Sequence, residues 1–395
     1  MYKILLILAL SFLSVVNAKT FVITGKVKYT KTDIVFINYK NIKSEYRNIL
    51  KNELNMCENI ILSSTDRNSF WGLEFSKNLQ QFYIIDKINH KKNTYSFGNY
   101  KEEISKIHTI SSTVSKKFKC DNSWLSKNIV TIVKSKTRKQ TTLNVMDISG
   151  EKNKIIYNNK SLLLFPKKFK NKVFFTSIID AKAYLLELNI KTGAVKKLIS
   201  HDNGYLVISD IKKTNNSTNI LYTTITKNGQ IQINEYTVGD IKSYQLSSIY
   251  KELSFNKVIL NPKYSKIENS IYFSSQSNNG TYNIYKFNFD KRKLIKFING
   301  LKILEFDINK NDDIVYKNLY KGKTNFFFYQ NMSHKTYRLN TFRGNISKPI
   351  FVKEKGFVFS KKNKKGLKNI FYYDIKNQRT IKLNKKYQYF QSFSI

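Results

Sequence analysis

Residues that carry chemistry are scarce in this chain. Among 395 residues there are four histidines, two cysteines and seven arginines. His90, His108, His201 and His334 have no cysteine, aspartate or second histidine at metal-ligand spacing, which argues against a metal centre. The chain has no G-x-S-x-G elbow, no H-E-x-x-H pair and no phosphate loop, so the common hydrolase, metalloprotease and nucleotide-hydrolase signatures are missing. His108 has no nucleophile paired with it in a recognisable motif and reads as a packed or capping helix residue rather than a base. "DINKND" (307–312) places oxygen donors at calcium-loop positions one, three and five. It lacks the glycine at position six and has Asn318 in place of glutamate at position twelve, so it reads as a turn between two strands. No cofactor and no metal are expected. No enzymatic activity is expected either.

Acidic residues are also few: 27 against 69 lysines and arginines, a formal net charge of +42. Such a balance invites a nucleic-acid reading, yet the positive charge is almost all lysine, spread through turns and tails. A nucleic-acid surface clusters arginine with aromatics on one face. Lysine, asparagine, isoleucine, tyrosine and phenylalanine share A/T-rich codons, so a biased genome accounts for the composition and no nucleic-acid partner is expected. The charge still favours acidic partners.

Long apolar runs are missing except at the start. Lys3, an apolar stretch over 4–16 and the small residues of "VNA" read as an export signal cleaved after Ala18. That stretch is too short to span a bilayer, and no later run of about 18 apolar residues exists. The expected mature protein is exported and not membrane-spanning, and the lack of a cysteine at the cleavage site argues against a lipid anchor there. In an oxidising compartment Cys57 and Cys120 can form a disulfide. Equally, each can serve as a small apolar residue near a helix end.

What the chain has in abundance is one repeated pattern. "NSIYFSSQSNNGTYNIYKFNFD" (269–290) holds two alternating apolar runs around Asn279 and Gly280, a strong hairpin signal. Closely similar segments occupy 313–332 and 356–375: Ile271, Ile314 and Phe357 are 43 residues apart in both steps, as are Ile284, Phe327 and Ile370. Looser copies at 129–148, 172–190 and 219–238 make six. Each hairpin is preceded by a further apolar stretch, as in "VILNP", "LKILEFDI" and "KPIFV", and followed by a shorter one, as in "KLIKFI". Four short strands per 40–50 residues is the signature of a propeller blade. The first unit begins at its second strand, Ile129, and the chain ends with a spare first strand, "YQYFQSFSI" (387–395). That spare strand can complete the first blade and close the ring.

Before the repeats the period changes. "NIKSEYRNILKNELNMC" (41–57) places Tyr46, Ile49, Leu50, Leu54 and Cys57 on one helical stripe, and "KEEISKIHTISSTVSKKF" (101–118) does the same with Ile104, Ile107, His108, Ser111, Val114 and Phe118. Strand candidates surround them: "KTFVIT", "DIVFIN", "QFYIID" and "TYSF". The expected organisation is a signal peptide over 1–18, an α+β N-terminal domain over 19–125 with two helices on a small sheet, and a six-bladed β-propeller over 126–395.

This order of elements resembles the TolB family, the periplasmic β-propeller component of the Tol-Pal envelope system. The resemblance is carried by "ISKIHTISSTVSKKFKCDNSWLSKNIVTIV" (104–133), "LNVMDISGEKNKIIYNNKSLLLFPKKFKNKVFFTS" (143–177) and "LLELNIKTGAVKKLIS" (185–200). The chain departs from the family in keeping only Pro166, Pro262 and Pro349 of its Pro-rich blade turns and in having Ser112 where an acidic residue is expected after the helix histidine. The resemblance implies a non-enzymatic monomer in the periplasm with two partners, acting in outer-membrane integrity and cell division. The peptidoglycan-associated lipoprotein would dock at the channel mouth, at positions matching Asp202, Asn203 and Gly204, Asn256 and Lys257, and Ser347 and Lys348. TolA would take the first mature segment, 19–30, which opens with Lys19, Thr20, Phe21, Val22, Ile23 and Thr24, by strand addition to a sheet edge. Other outer-membrane proteins are further candidates. The same mouth residues are equally ordinary turn formers, and the same segment can be the domain's own first strand. From other classes, an exported propeller lyase or peptidase would need clustered carboxylates or an added hydrolase domain, and an adhesin would keep the fold and change the partner.

Overall fold

The computed structural model describes residues 32–394, apart from 58, 64–68, 98–101, 121–127, 135–140, 150–152, 203, 215–216, 227, 241–242, 254–257, 301, 321–322, 344–345, 363–367 and 384–391. The export signal, the segment 19–30, Asn203, Asn256 and Lys257 lie outside the described residues.

Six four-stranded antiparallel sheets follow one another, the all-β six-bladed propeller that the repeats predict. The six repeated hairpins form the two middle strands of the six blades. In the best-defined copy, Ser270–Gln276 pairs with Tyr282–Asn288. The turn between them needs Gly280, which sits at φ 78, while the Asn279 side chain accepts from the Thr281 amide at 3.2 Å. The stretches before and after each hairpin supply the inner and outer strands. The inner strands of blades 2 to 6 are Leu162–Phe169, Leu206–Lys213, Ile259–Tyr264, Ile303–Ile308 and Ile350–Lys353. Blade 1 takes its inner strand from the far end of the chain. Ser392–Ser394 pairs with the blade-1 strand Ile129–Lys134, Phe393 opposite Thr131.

A second strand in this arrangement is covered on both faces, so adjacent side chains belong to different cores. Phe174 packs into the blade 2–3 interface and Phe175 into the blade 1–2 interface. Tyr272 faces blade 5 while Ile271 and Phe273 face blade 3. Each of the six blade interfaces has its own cluster of buried apolar residues. The 43-residue spacing puts Ile271, Ile314 and Phe357 at 0% exposure in successive blades. Burying one such phenylalanine stabilises the fold by about 1.5–3 kcal/mol, which two exposed faces would forfeit.

Residues 32–120 form a five-stranded mixed sheet and two helices. Its strands are β1 (Thr32–Ile37), β2 (Ile60–Ser63), β3 (Trp71–Phe75), β4 (Gln81–Asp86) and β5 (Lys91–Ser96), in the order β2-β1-β3-β4-β5. Helices α1 (Ser44–Leu54) and α2 (Glu103–Lys117) bury Ile49, Leu50 and Leu54, and Ile104, Ile107 and Val114, in one core with Leu73, Phe75 and Phe82. Two of the strands, β2 and β3, were not among the sequence candidates. Their runs are four and five residues long, and β2 lacks a clean alternation.

Removing residues 387–395 takes away the inner strand of blade 1 and unpairs its neighbour. Because nearest-neighbour interfaces supply most of the stability of repeats, the truncated protein is expected to melt in a single transition about 5 °C or more lower. An unchanged melting temperature would contradict closure.

Candidate functional site

In an antiparallel blade the entry loop to the inner strand and the turn between the two middle strands lie on one rim. The other two turns lie on the opposite rim. The loops holding Asp202 and Gly204, and Ser347 and Lys348, are entry loops of blades 3 and 6. The topology therefore brings them to one mouth of the channel; Asn256 and Lys257 lie outside the described residues. Locally these residues have structural work. Asp202 forms an exposed ion pair with Lys182 at 3.1 Å. Gly204 has φ 63, and a Cβ there would sit 2.7 Å from the Ala181 carbonyl oxygen. Ser347 pairs with Ser360 through its amide at 2.9 Å and its hydroxyl oxygen at 2.8 Å. Lys348 differs: its ammonium group turns inward beside Lys167 and Lys263.

Charged side chains from four consecutive inner strands meet inside the ring: Lys167, Asp210, Lys263 and Asp307. Lys263 Nζ donates to Asp307 Oδ1 at 2.7 Å and lies 3.9 Å from Asp210. Asp210 also accepts from the Tyr264 amide and from Lys266 Nζ, both at 3.1 Å. Asp307 accepts from the Phe351 amide at 2.8 Å. Burial alone would raise the Asp210 pKa, but Lys263, Lys266 and Lys167 outweigh it and hold the carboxyl at about 2. Lys167 is held well below the ordinary lysine value, first by burial and then by the charges of Lys263 and Lys348. Lys348 is lowered for the same two reasons, burial first. The channel residues line a cavity of about 190 Å³. Through Lys266 and Ile308 it adjoins a larger cleft of about 760 Å³ between the propeller and Lys119 and Cys120 of the N-terminal region. "DINKND" is the blade-5 turn: Asp312 accepts from the Ser265 hydroxyl at 2.5 Å and the Lys266 amide at 2.7 Å, linking blades 4 and 5.

The N-terminal region seats on the rim opposite the entry loops. His108 of α2 is buried, as its helical stripe implies, between two carboxylates: Nδ1 lies 2.5 Å from Glu53 of α1 and Nε2 3.4 Å from Asp147 of blade 1. Burial opposes the imidazolium, but Glu53 and then Asp147 outweigh it and raise its pKa to about 10. Beside this triad Met56 inserts into the core at the blade 6–1 seam, and Arg379 of blade 6 donates to the Asn55 carbonyl. Cys57 and Cys120 are joined in a disulfide, Cα–Cα 5.4 Å, tying the ends of α1 and α2. A closed loop of that size is worth about 2–4 kcal/mol.

The fold defines a six-bladed β-propeller with an N-terminal sheet-and-helix region on one rim, and its fold is TolB-like. The crystal structure of TolB from Acinetobacter baumannii is similar with a TM-score of 0.73 at 11% sequence identity, over 92% of this chain and 96% of that one. A putative TolB from Agrobacterium tumefaciens is similar with a TM-score of 0.48 at 10% identity, over 65% of this chain and 89% of that one. Propeller enzymes also appear, such as an oligogalacturonate lyase in complex with manganese, with a TM-score of 0.43 at 7% identity over 62% of this chain and 71% of that one. No family model matches the sequence, and no curated protein matches it. Among the described residues, no helix is long and apolar enough to cross a membrane.

The His108 triad predicts a defined pH response. Its folded pKa, about 10, lies above the usual value near 6.5. Its contribution is therefore complete below about pH 6.5 and lost as pH rises through about 10. His108→Gln leaves two buried carboxylates facing each other and is expected to cost about 3–5 kcal/mol at neutral pH. Denaturant titrations of both proteins should show that difference shrinking as pH rises from about 6.5 and levelling off above about 10; a pH-independent difference would contradict the charged triad.

Proposed function

We propose that this chain is a non-enzymatic periplasmic scaffold of the Tol-Pal envelope system, acting as a monomer in outer-membrane integrity and constriction at division. The observation that supports it most is the end-to-end match in fold to TolB, at a TM-score of 0.73 over 92% of this chain. In this reading residues 1–18 are an export signal, 19–125 are one α+β domain and 126–395 are the propeller. The peptidoglycan-associated lipoprotein docks at the entry-loop mouth, around Asp202 to Gly204, Asn256, Lys257, Ser347 and Lys348. Among the described residues that rim is free of the N-terminal region, which seats on the other one, and loops from separate blades supply the surface of a binding site held on a rigid scaffold. TolA takes the segment 19–30 by strand addition, since its alternating side chains suit a sheet edge.

If the lipoprotein recruits that segment back onto the body, the two partners are coupled through one two-state element and each weakens the other equally. Deleting residues 19–30 is then expected to abolish TolA binding and to leave lipoprotein binding intact or tighter. Lys257→Glu is expected to weaken the lipoprotein about tenfold, or ~1.4 kcal/mol, and to spare TolA. Titration calorimetry with each partner checks both variants. A folded deletion variant that no longer bound the lipoprotein would overturn the two-surface reading.

A further inference from the structure

The end of α1 is where the N-terminal region grips the propeller. Glu53 lies 2.5 Å from His108, whose other ring nitrogen faces Asp147 of blade 1. The Asn55 carbonyl accepts from Arg379 of blade 6, and Met56, 1% exposed, fills the core at the seam of blades 6 and 1. Cys57 follows directly and is bridged to Cys120. The bridge therefore joins the last gripping residue to the chain just past α2, the helix that carries His108.

The two cysteines have different surroundings. Cys57 is buried in the apolar core of the N-terminal region. Cys120 is half-buried and lines the cleft of about 760 Å³ that separates that region from blades 4 to 6. Six lysines and two carboxylates line the same cleft, so a thiolate arriving at Cys120 or departing from it meets a positive field, which lowers thiol pKa values. Hydrogen bonds seat both cysteines independently of the bridge. The Cys57 amide donates to the Leu54 carbonyl at 2.9 Å and the Cys120 amide to the Ser115 carbonyl at 2.7 Å, and Asn59 Nδ2 donates to the Phe118 carbonyl at 2.9 Å. Two thiols held this way stay within reach of each other, so opening the bridge is reversible.

We propose that Cys57–Cys120 is a thiol–disulfide exchange site: a dithiol entering the cleft opens the bridge and loosens the grip of α1 on the blade 6–1 seam. One thiolate of the dithiol attacks the Cys120 sulfur, the protein's S–S bond breaks, and Cys57 leaves with its electron pair and takes up a proton. The second thiol then attacks the dithiol's own sulfur in the mixed disulfide. Cys120 leaves as a thiolate in the lysine-rich cleft, and the dithiol closes to a cyclic disulfide. Two electrons pass from the dithiol to the two cysteines; one of its protons goes to Cys57 and the other to Cys120 or to solvent. Once the bridge is open, the chain past α1 is no longer tied to α2, and Met56 stays in the seam by its own packing alone. This inference goes beyond the partner reading, because it needs neither the entry loops nor the segment 19–30.

The folded protein is treated with dithiothreitol, its thiols are capped with iodoacetamide and counted by mass spectrometry, and its methionines are footprinted with peroxide. Met332, 92% exposed, serves as the internal reference. Relative to it, Met56 is expected to form sulfoxide about tenfold or more faster once the bridge is open, while amide exchange over 270–276 stays as it is in the oxidised protein. The double variant Cys57→Ser, Cys120→Ser is expected to match the reduced protein and to ignore dithiothreitol. A bridge that dithiothreitol reduces only after the protein has unfolded overturns the proposal, as does a Met56 equally protected in the oxidised and reduced proteins. So does a Met56 that gains reactivity only in step with exchange over 270–276, because the bridge would then be a staple for global stability and not a latch.

Discussion

Everything in this molecule depends on the fact that a four-stranded blade cannot cover itself. Phe174 and Phe175 are neighbours in sequence, yet each is fully buried in a different interface. A blade missing either neighbour therefore exposes one of its two apolar faces. Only a closed ring satisfies all six blades at once. Closure here rests on a short strand, Ser392–Ser394. The neighbouring seam between blades 6 and 1 is reinforced from outside by Met56, Arg379 and the His108 triad. In this architecture the N-terminal region doubles as a brace at the place where the two ends of the repeat array meet.

The two rims consequently differ. One is occupied by the N-terminal region and the basic cleft beneath it, and the other presents the entry loops. The channel connects the character of both, since Lys348 belongs to an entry loop and Lys266 to a turn on the occupied rim. Charge inside the ring is arranged rather than scattered: lysine and aspartate alternate through four blades, and the surplus is positive. A surplus of one sign in a confined space costs free energy unless the amines lose protons. The lowered pKa directions of Lys167 and Lys348, each led by burial, express that route.

Much of the fold was legible because propeller strands are short, alternating and repeated. Ile271, Ile314 and Phe357 revealed the period through equal spacing alone, and Asn279 with Gly280 marked the turn. The strands β2 and β3 were not legible, because runs such as "IILS" and "WGLEF" are too brief to show a period and owe their state to pairing with β1 on either side. Of the buried triad, His108 was read as a packed helix residue. Its partners are 55 and 39 residues away in sequence, which no local pattern registers. One signal was available: Glu53 falls on the same helical stripe as Ile49, Leu50 and Leu54, where a lone carboxylate needs a buried partner. The channel lysines had a comparable signal in their adjacency to the three prolines. The segment 19–30 and the residues Asn256 and Lys257 fall outside the described residues, so their reading rests on the sequence.

Native-state hydrogen exchange, followed by mass spectrometry, tests the closed ring most directly. In a closed ring each interface supports the next, so the slowest amides of all six middle hairpins should exchange with a common free energy, that of global unfolding. Residues 129–134 at the seam should be as protected as 270–276 on the far side. Protection that declined steadily from blades 3 and 4 toward blades 1 and 6 would be the behaviour of an open stack fraying from its ends, and would contradict the account.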